Sequence, residues 1–189
     1  KKVLSTPDDY SRGIEEGVDA LLREGGISPG EIAEFAHGTT VATNAIIERK
    51  GAHVGLITTE GFRDIVIIGR QKRYETYDLY IDKPAPLLRR RHIYEVRERT
   101  SYSGEVLTPI DSASIDAAID AMGAAGHDAV AISLLHSYAN PEHERAIRDR
   151  ILVRVPQMSV SLSSEVSPKF REYERTNTTL VNAYIRPLV

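Results

Sequence analysis

The chain has 189 residues, 41% hydrophobic and 27% charged, a balance that fits one globular domain with a sizeable core, or one domain with an appendage, and excludes a disordered tail. A net charge of -3 gives no general attraction to nucleic acid or anionic membrane, and no apolar run approaches the roughly 20 residues needed to span a bilayer. With no cysteine there is no disulfide, thiolate nucleophile or thiolate metal ligand, and with no secretory signal visible the expected compartment is the cytoplasm.

Residues 1–6 read as the end of a strand with no initiator methionine, and the chain stops at Arg186, Pro187, Leu188 and Val189 without polar closure, so a fragment of a longer protein is expected. Thr6 as N-cap, Pro7 at the first helical position and acidic Asp8 and Asp9 start a helix. Its Ile14, Val18, Leu21 and Leu22 share a face, and Gly25 and Gly26 end it. Residues 32–36 alternate as a strand, and 41–50 form a helix with Ala42, Ala45, Ile46 and Arg49 on one face before Gly51.

Between them, His37, Gly38, Thr39 and Thr40 make a glycine turn loaded with small donors at a helix start, followed by Asn44. The first backbone N–H groups of a helix lack intrahelical partners and the dipole there is positive, so phosphate or carboxylate is a natural ligand. Simple capping by Thr39 or Thr40, worth about 1 kcal/mol, is the competing reading. His37 reads as a general base, as a donor to phosphate, or as a structural histidine at a strand end.

Residues 53–59 read as a strand, followed by a turn at Gly61 and a helix over 62–68. Arg70 at that helix end either offers a guanidinium to an anion or simply favours the helix C-terminus. Residues 69–91 break the rhythm with Tyr74, Tyr77, Tyr80 and the pair Pro84 and Pro86, an excursion whose tyrosines suggest ordered contact. Residues 92–99 alternate as an edge strand or hairpin arm, with a turn at 101–104 and a return at 105–107.

A helix capped by Asp111 or Ser112 carries the stripe Ile115, Ala118, Ile119 and Met122 and ends near Gly126. The nearly continuous apolar run 128–135 reads as an interior parallel strand. Asn140, Pro141 and Glu142 open a helix with Ala146, Ile147 and Ile151 inward, Pro156 closes it, and 160–163 is a last short strand. Alternating helices and strands argue for an α/β fold whose mostly parallel sheet is flanked by helices.

From Ser167 and Pro168 onward a further helix is expected, with Arg171, Arg175, Thr178 and Asn182 along one side and Tyr173, Asn177, Leu180 and Tyr184 along another. It is either the lining of a site or a solvated connector whose charges only face water. His53, His92, His127, His136 and His143 lack metal-ligand spacing, so no metal site is expected. Walker, dinucleotide-binding, serine-hydrolase and zincin motifs are all missing.

Three separated motifs carry a resemblance: His37 to Asn44; Gly61, Phe62, Arg63 and Asp64 with Ile68, Gly69, Arg70 and Gln71; and Glu165, Val166, Ser167 and Pro168 with Arg171 to Arg175 and Asn182, Ala183 and Tyr184. Together they resemble the hydantoinase/oxoprolinase family, in particular the N-terminal part of the A subunit of ATP-dependent hydantoin-hydrolysing enzymes, related to 5-oxoprolinase and the acetone and acetophenone carboxylases. The resemblance implies an actin-like (ribonuclease H-like) ATPase lobe, truncated at both ends, with residues 1–163 as an incomplete N-terminal domain, an excursion over 70–110, and 164–189 as a connector to an ATPase lobe.

It also implies ATP and Mg²⁺ as cofactors, a cyclic amide or ketone as substrate, a hydantoinase B-like subunit or domain as partner, and an oligomer. Gly38, Thr39, Thr40, Asn44 and Arg70 would bind ATP or substrate, and His37, Glu165, Arg171 and Glu172 would be catalytic. The family's usual Gly-Gly-Thr-Phe-Thr-Asp phosphate loop does not occur in this sequence, so the chain is not expected to turn over ATP alone. A non-catalytic assembly domain and a ketone carboxylase subunit are the alternative readings.

Overall fold

The computed structural model describes residues 2–4, 6, 9–70, 75–78, 80 and 84–188. They form two compact units, Lys1–Thr39 and Thr40–Val189, each of which is described by itself.

The first unit is built on helix α1 (Tyr10–Gly25). Its N-cap is Asp9, whose carboxylate accepts from the backbone N–H of Ser11, and Gly26 closes it at φ 62°, a left-handed conformation that glycine adopts without a Cβ clash. Thr6 is therefore not the N-cap. Its hydroxyl instead donates to the Asp9 carbonyl and accepts from the Gly13 N–H. Pro7 and Asp8 lie outside the described residues. A 3₁₀ turn, Pro29–Glu31, follows a reciprocal capping box between Ser28 and Glu31. The strand expected over 32–36 is not formed, nor is one at described residues 2–4: alternation makes a strand only where a neighbouring backbone pairs with it.

The second unit contains α2 (Val41–Ile47), β1 (Val54–Thr59), α3 (Ile65–Ile68), β2 (Ile93–Val96), β3 (Arg99–Thr100), β4 (Val106–Thr108) and α4 (Ser112–Ala125). It continues with β5 (Ala129–Ser133), α5 (Glu142–Arg154), β6 (Ser159–Leu162), α6 (Ser163–Val166) and α7 (Glu172–Ile185). Strands in the order β2-β1-β5-β6 form a parallel sheet, while β3 and β4 make a separate antiparallel hairpin. The 92–99 segment is thus shared between the two: its first half joins the main sheet beside β1, and only its end turns into the hairpin.

Strand periodicity divides the core between the two faces of the sheet. Ile57, Val130, Ile132, Leu134 and Leu162 pack with Ile115, Ile119 and Met122 of α4 and Ile147 and Ile151 of α5. Val54, Leu56, Ile93, Ala129 and Ala131 face Leu180, Ala183 and Tyr184 of α7. The small Ala129, Ala131 and Ala183 let α7 lie close to the sheet, and each large side chain fully buried here contributes about 1.5–3 kcal/mol. β1 and β5 are buried along their whole length, as interior parallel strands must be.

Several local expectations shift. The helix expected over 41–50 stops at Ile47, and Arg49, at φ 56°, donates to the carbonyls of Ala85 and Pro86. The helix over 62–68 shrinks to the single turn of α3. Ala146 faces solvent rather than the core. In the excursion, Tyr77 and Tyr80 are more than nine-tenths exposed, so they make no ordered packing contact, while Tyr74 and Lys83 lie outside the described residues. The last long helix begins at Glu172, not at Ser167 and Pro168, and its Arg175, Thr176, Thr179, Leu180, Ala183 and Tyr184 are buried. It is a covering layer of the sheet, not a helix whose charges only face water.

Candidate functional site

In open parallel sheets ligands bind outside the carboxyl ends of the strands. At that edge this sheet ends in hydroxyls: Thr58 and Thr59 on β1, Ser133 on β5 and, just past β6, Ser163, all buried. A small cleft there is lined by Thr58, Phe62, Ser133, Leu134, Glu172 and Arg175, among others. Beneath it lies a connected polar layer.

Arg175, 1% exposed, donates to Ser163 Oγ (3.1 Å), the Leu134 carbonyl (2.7 Å), the Lys169 carbonyl (2.8 Å) and Glu172 Oε1 (3.2 and 3.3 Å). Glu144 on α5, fully buried, accepts from the N–H groups of Leu134 (3.0 Å) and Ser164 (2.9 Å) and from the hydroxyls of Ser163 (2.6 Å) and Ser164 (2.7 Å). Thr59 donates to the buried Glu98, whose other oxygen meets His143 Nδ1 at 2.8 Å, and Ser133 and Thr176 bond each other at 2.8 Å. A buried charge persists only with compensating partners: Arg175 pairs with Glu172, and Glu144 is held by four donated hydrogen bonds. The network clamps the ends of β5 and β6 and the start of α7, holding Glu172 at the cleft wall.

Of the residues expected from the sequence, Glu172 lies in this cleft. Glu165, on α6, is exposed and pairs with Arg148 (3.1 Å). Arg171 is exposed at the N-cap of α7, its guanidinium 5.8 Å from the Phe170 ring centre. Arg70 pairs with Glu174 of α7, so its guanidinium bridges the end of α3 to α7. The His37–Asn44 motif straddles the two units. His37 and Thr39 border an apolar hollow of about 370 Å³ in the first unit, formed with Leu4, Ile14, Val18 and Phe35. Thr40 and Asn44 open the second unit, both exposed, with Asn44 Nδ2 3.5 Å from Thr40 Oγ1. Thr40 precedes α2 but its hydroxyl makes no capping bond, so the simple capping reading does not hold for Thr40.

Arg175 stood on the helix side read as a possible lining, without an assigned role, whereas Glu144, Glu98, Thr59 and Ser133 were not among the expected site residues. A signal was present, since hydroxyl residues close three of the apolar strand segments at their carboxyl ends. The acids carried none: Glu98 stands among alternating charges of a strand segment and Glu144 among the charges at a helix start.

Three of the histidines that lack metal-ligand spacing in the sequence are neighbours in the structure. His53, His92 and His127 each offer a ring nitrogen, all within 4.8 Å of one another. Linear spacing missed them because parallel neighbours in a sheet are far apart in sequence.

A family model, the hydantoinase/oxoprolinase N-terminal region, matches residues 1–154. An uncharacterized protein of Methanocaldococcus jannaschii is 41% identical over 100% of this chain and 28% of its own length. The caprolactamase alpha subunit of Pseudomonas jessenii is 37% identical over 100% of this chain and 28% of its own length. The crystal structure of that ATP-dependent caprolactamase superposes with a TM-score of 0.85 at 36% identity, covering 100% of this chain and 28% of the other. A nucleotide-free acetone carboxylase structure superposes with a TM-score of 0.84 at 30% identity, covering 97% and 28%. The chain spans about 28% of the length of the curated relatives it matches here. Among the described residues no helix is long and apolar enough to cross a membrane.

Proposed function

Because this chain belongs to the hydantoinase/oxoprolinase family, we propose that it forms part of an ATP-dependent enzyme that phosphorylates the carbonyl oxygen of a cyclic amide, of hydantoin, lactam or 5-oxoproline type, before water opens the ring. The observation that supports it most is similarity over the whole chain to an ATP-dependent caprolactamase, in sequence and in fold. The reading includes an actin-like ATPase lobe, a cytoplasmic location and a hydantoinase B-like partner, the caprolactamase relative being itself a named subunit.

The donor chemistry of the motif suits a phosphate. Thr40, just before α2, and Asn44, one turn into it, present a hydroxyl and an amide, both exposed, and the Thr40 hydroxyl is not spent on capping. ATP, when bound with Mg²⁺, supplies the phosphoryl group that converts a poor amide-oxygen leaving group into a good one. Thr40 and Asn44 would orient phosphate oxygens by donating to them.

His37 is assigned the proton transfer that accompanies attack of water. Glu172, held by Arg175 at the strand ends, is assigned to orient the substrate's amide N–H, with Arg171 beside it. Glu165 would have to exchange Arg148 for substrate, and Arg70 would act as a positioning residue through Glu174.

The test uses the intact protein: ATP hydrolysis is measured with hydantoins, lactams, 5-oxoproline and ketones, in wild type and in Thr40→Val. A cyclic amide should stimulate turnover, and the substitution should lower kcat/KM by about 100-fold, as loss of one oriented donor does elsewhere. Absence of stimulation by any of these substrates, or an unchanged Thr40→Val protein, sinks the reading. Ketone-stimulated turnover with carboxylated product would favour the second reading, a ketone carboxylase subunit, which the likeness to acetone carboxylase supports.

A further inference from the structure

At the edge of the sheet opposite the cleft, three adjacent parallel strands each begin just after a histidine: His92 before β2, His53 before β1 and His127 two residues before β5. Parallel pairing brings these starts together, with ring centres 4.4 Å apart for His53 and His127, 4.9 Å for His92 and His127, and 5.1 Å for His53 and His92. We propose that His53, His92 and His127 form a binding site for a zinc-class divalent cation, which ties the starts of β2, β1 and β5 together.

The hydrogen bonds around the rings prepare lone pairs for such an ion. His53 Nδ1 lies 2.9 Å from the Gly126 carbonyl and His127 Nδ1 lies 3.3 Å from the His53 carbonyl. Carbonyls only accept, so both Nδ1 atoms carry the proton and both Nε2 atoms keep a lone pair; that of His127 accepts from the Tyr94 hydroxyl (2.9 Å), which would have to turn to the ion's remaining ligand on binding. An N–H···O=C bond from the far nitrogen is the usual support behind a metal-bound imidazole. His92 Nδ1 is buried with no hydrogen-bond partner, an unmet polar atom that ordinarily costs about 1–3 kcal/mol and that ligation of a metal in the other tautomer would satisfy. His92 Nε2 accepts from the exposed Arg91, which would turn to solvent when the ring changes tautomer on binding.

Space is provided by Gly55. A Cβ there would approach His127 Cδ2 to 3.2 Å and Tyr94 Cε2 to 3.3 Å, so only a glycine leaves both rings where they stand. Ligand nitrogens within 4.8 Å need small side-chain rotations to reach the roughly 3.3 Å separation set by metal–nitrogen bonds of about 2.0 Å in a tetrahedron.

Donor chemistry selects the ion. Three imidazoles with no thiolate and no carboxylate in the set suit zinc and its borderline neighbours, whereas magnesium and calcium demand oxygen ligands. The fourth position is left for water or a small anion, next to the Tyr94 hydroxyl, which lies 2.9 Å from His127 Nε2. The pocket that His53 and His92 line also contains Arg49, Arg89 and Arg91, whose positive charge favours an anion there.

The test is zinc stoichiometry of the full-length protein after equilibrium dialysis at neutral pH, in wild type, His53→Ala, His92→Gln and His136→Asn, with zinc-dependent thermal unfolding as second readout. His136 is the control: its ring bonds the Thr100 carbonyl and belongs to no cluster. Bound zinc should fall by one ion per chain in His53→Ala and His92→Gln, affinity at the site dropping by about 100-fold, and stay at the wild-type level in His136→Asn. Zinc should raise the unfolding midpoint of wild type and not of the two site variants. Equal stoichiometry in wild type and both site variants, or a zinc-induced rise that persists in them, overturns the proposal.

Discussion

Replacing Glu144 by glutamine changes one oxygen of a fully buried carboxylate into an NH₂ group, at a site where all four partners donate. If the remaining oxygen keeps Leu134 N–H and the Ser163 hydroxyl, the new amide nitrogen faces Ser164, whose hydroxyl can reverse and accept but whose backbone N–H cannot. One N–H is then left without an acceptor, at about 1–3 kcal/mol, so Glu144→Gln should lose about 2 kcal/mol. Glu144→Ala strands two backbone N–H groups and leaves a cavity, for a loss of about 4 kcal/mol. Against the 5–15 kcal/mol typical of a domain, these are large fractions. Urea unfolding followed by far-ultraviolet circular dichroism measures both, and at this size 2 kcal/mol moves the thermal midpoint by about 6 °C. If both variants unfold within about 0.5 kcal/mol of wild type, the acceptor role assigned to Glu144 is refuted.

Gly51 approaches the aromatic ring of Tyr184 so closely that a Cβ would sit 2.1 Å from Cε1. Gly51→Ala should therefore destabilise by about 1–3 kcal/mol, and much less in a Tyr184→Leu background, which a double-mutant cycle in urea would register. His127 supplies a pH dependence. Burial, with His53 next, pushes its pKa from 6.5 down to about 4, so the folded ring stays neutral where the unfolded one takes a proton. Its contribution is fully present above about pH 6.5 and is lost as the pH falls toward about 4, amounting to about 2 kcal/mol after allowance for the solvent-facing edge. In zinc-free buffer the stability difference between wild type and His127→Gln should shrink over that window. A difference that is flat with pH would refute the assignment.

How much could be read from residues alone varied with the range of the interaction involved. Helix α4 was legible end to end, because Asp111, the stripe Ile115, Ala118, Ile119 and Met122, and the left-handed Gly126 are local signals. The interior strand β5 was legible because burial on both faces leaves no alternation. The family motifs were legible too, since they are runs of neighbouring residues.

Wherever a partner distant in sequence decides the outcome, the tertiary structure had the last word. Residues 32–36 alternate like a strand but find no strand to pair with, and 92–99 is divided between two sheets because β1 claims its first half. The side of the last helix that carries Arg175 read equally as lining or wet connector, and Glu144 gave no signal, until α7 and α5 fold onto opposite faces of the sheet and bring both to Ser163. The same holds for the three histidines, spread along the chain over 53–127 and joined only by parallel pairing at one sheet edge. Sequence by itself determined the longer elements of the second unit, most of their apolar faces and the family, because propensity, capping and periodicity act within a few residues. Which polar groups meet was decided by topology, because hydrogen bonds and ligand sets depend on distances in space that linear spacing does not encode.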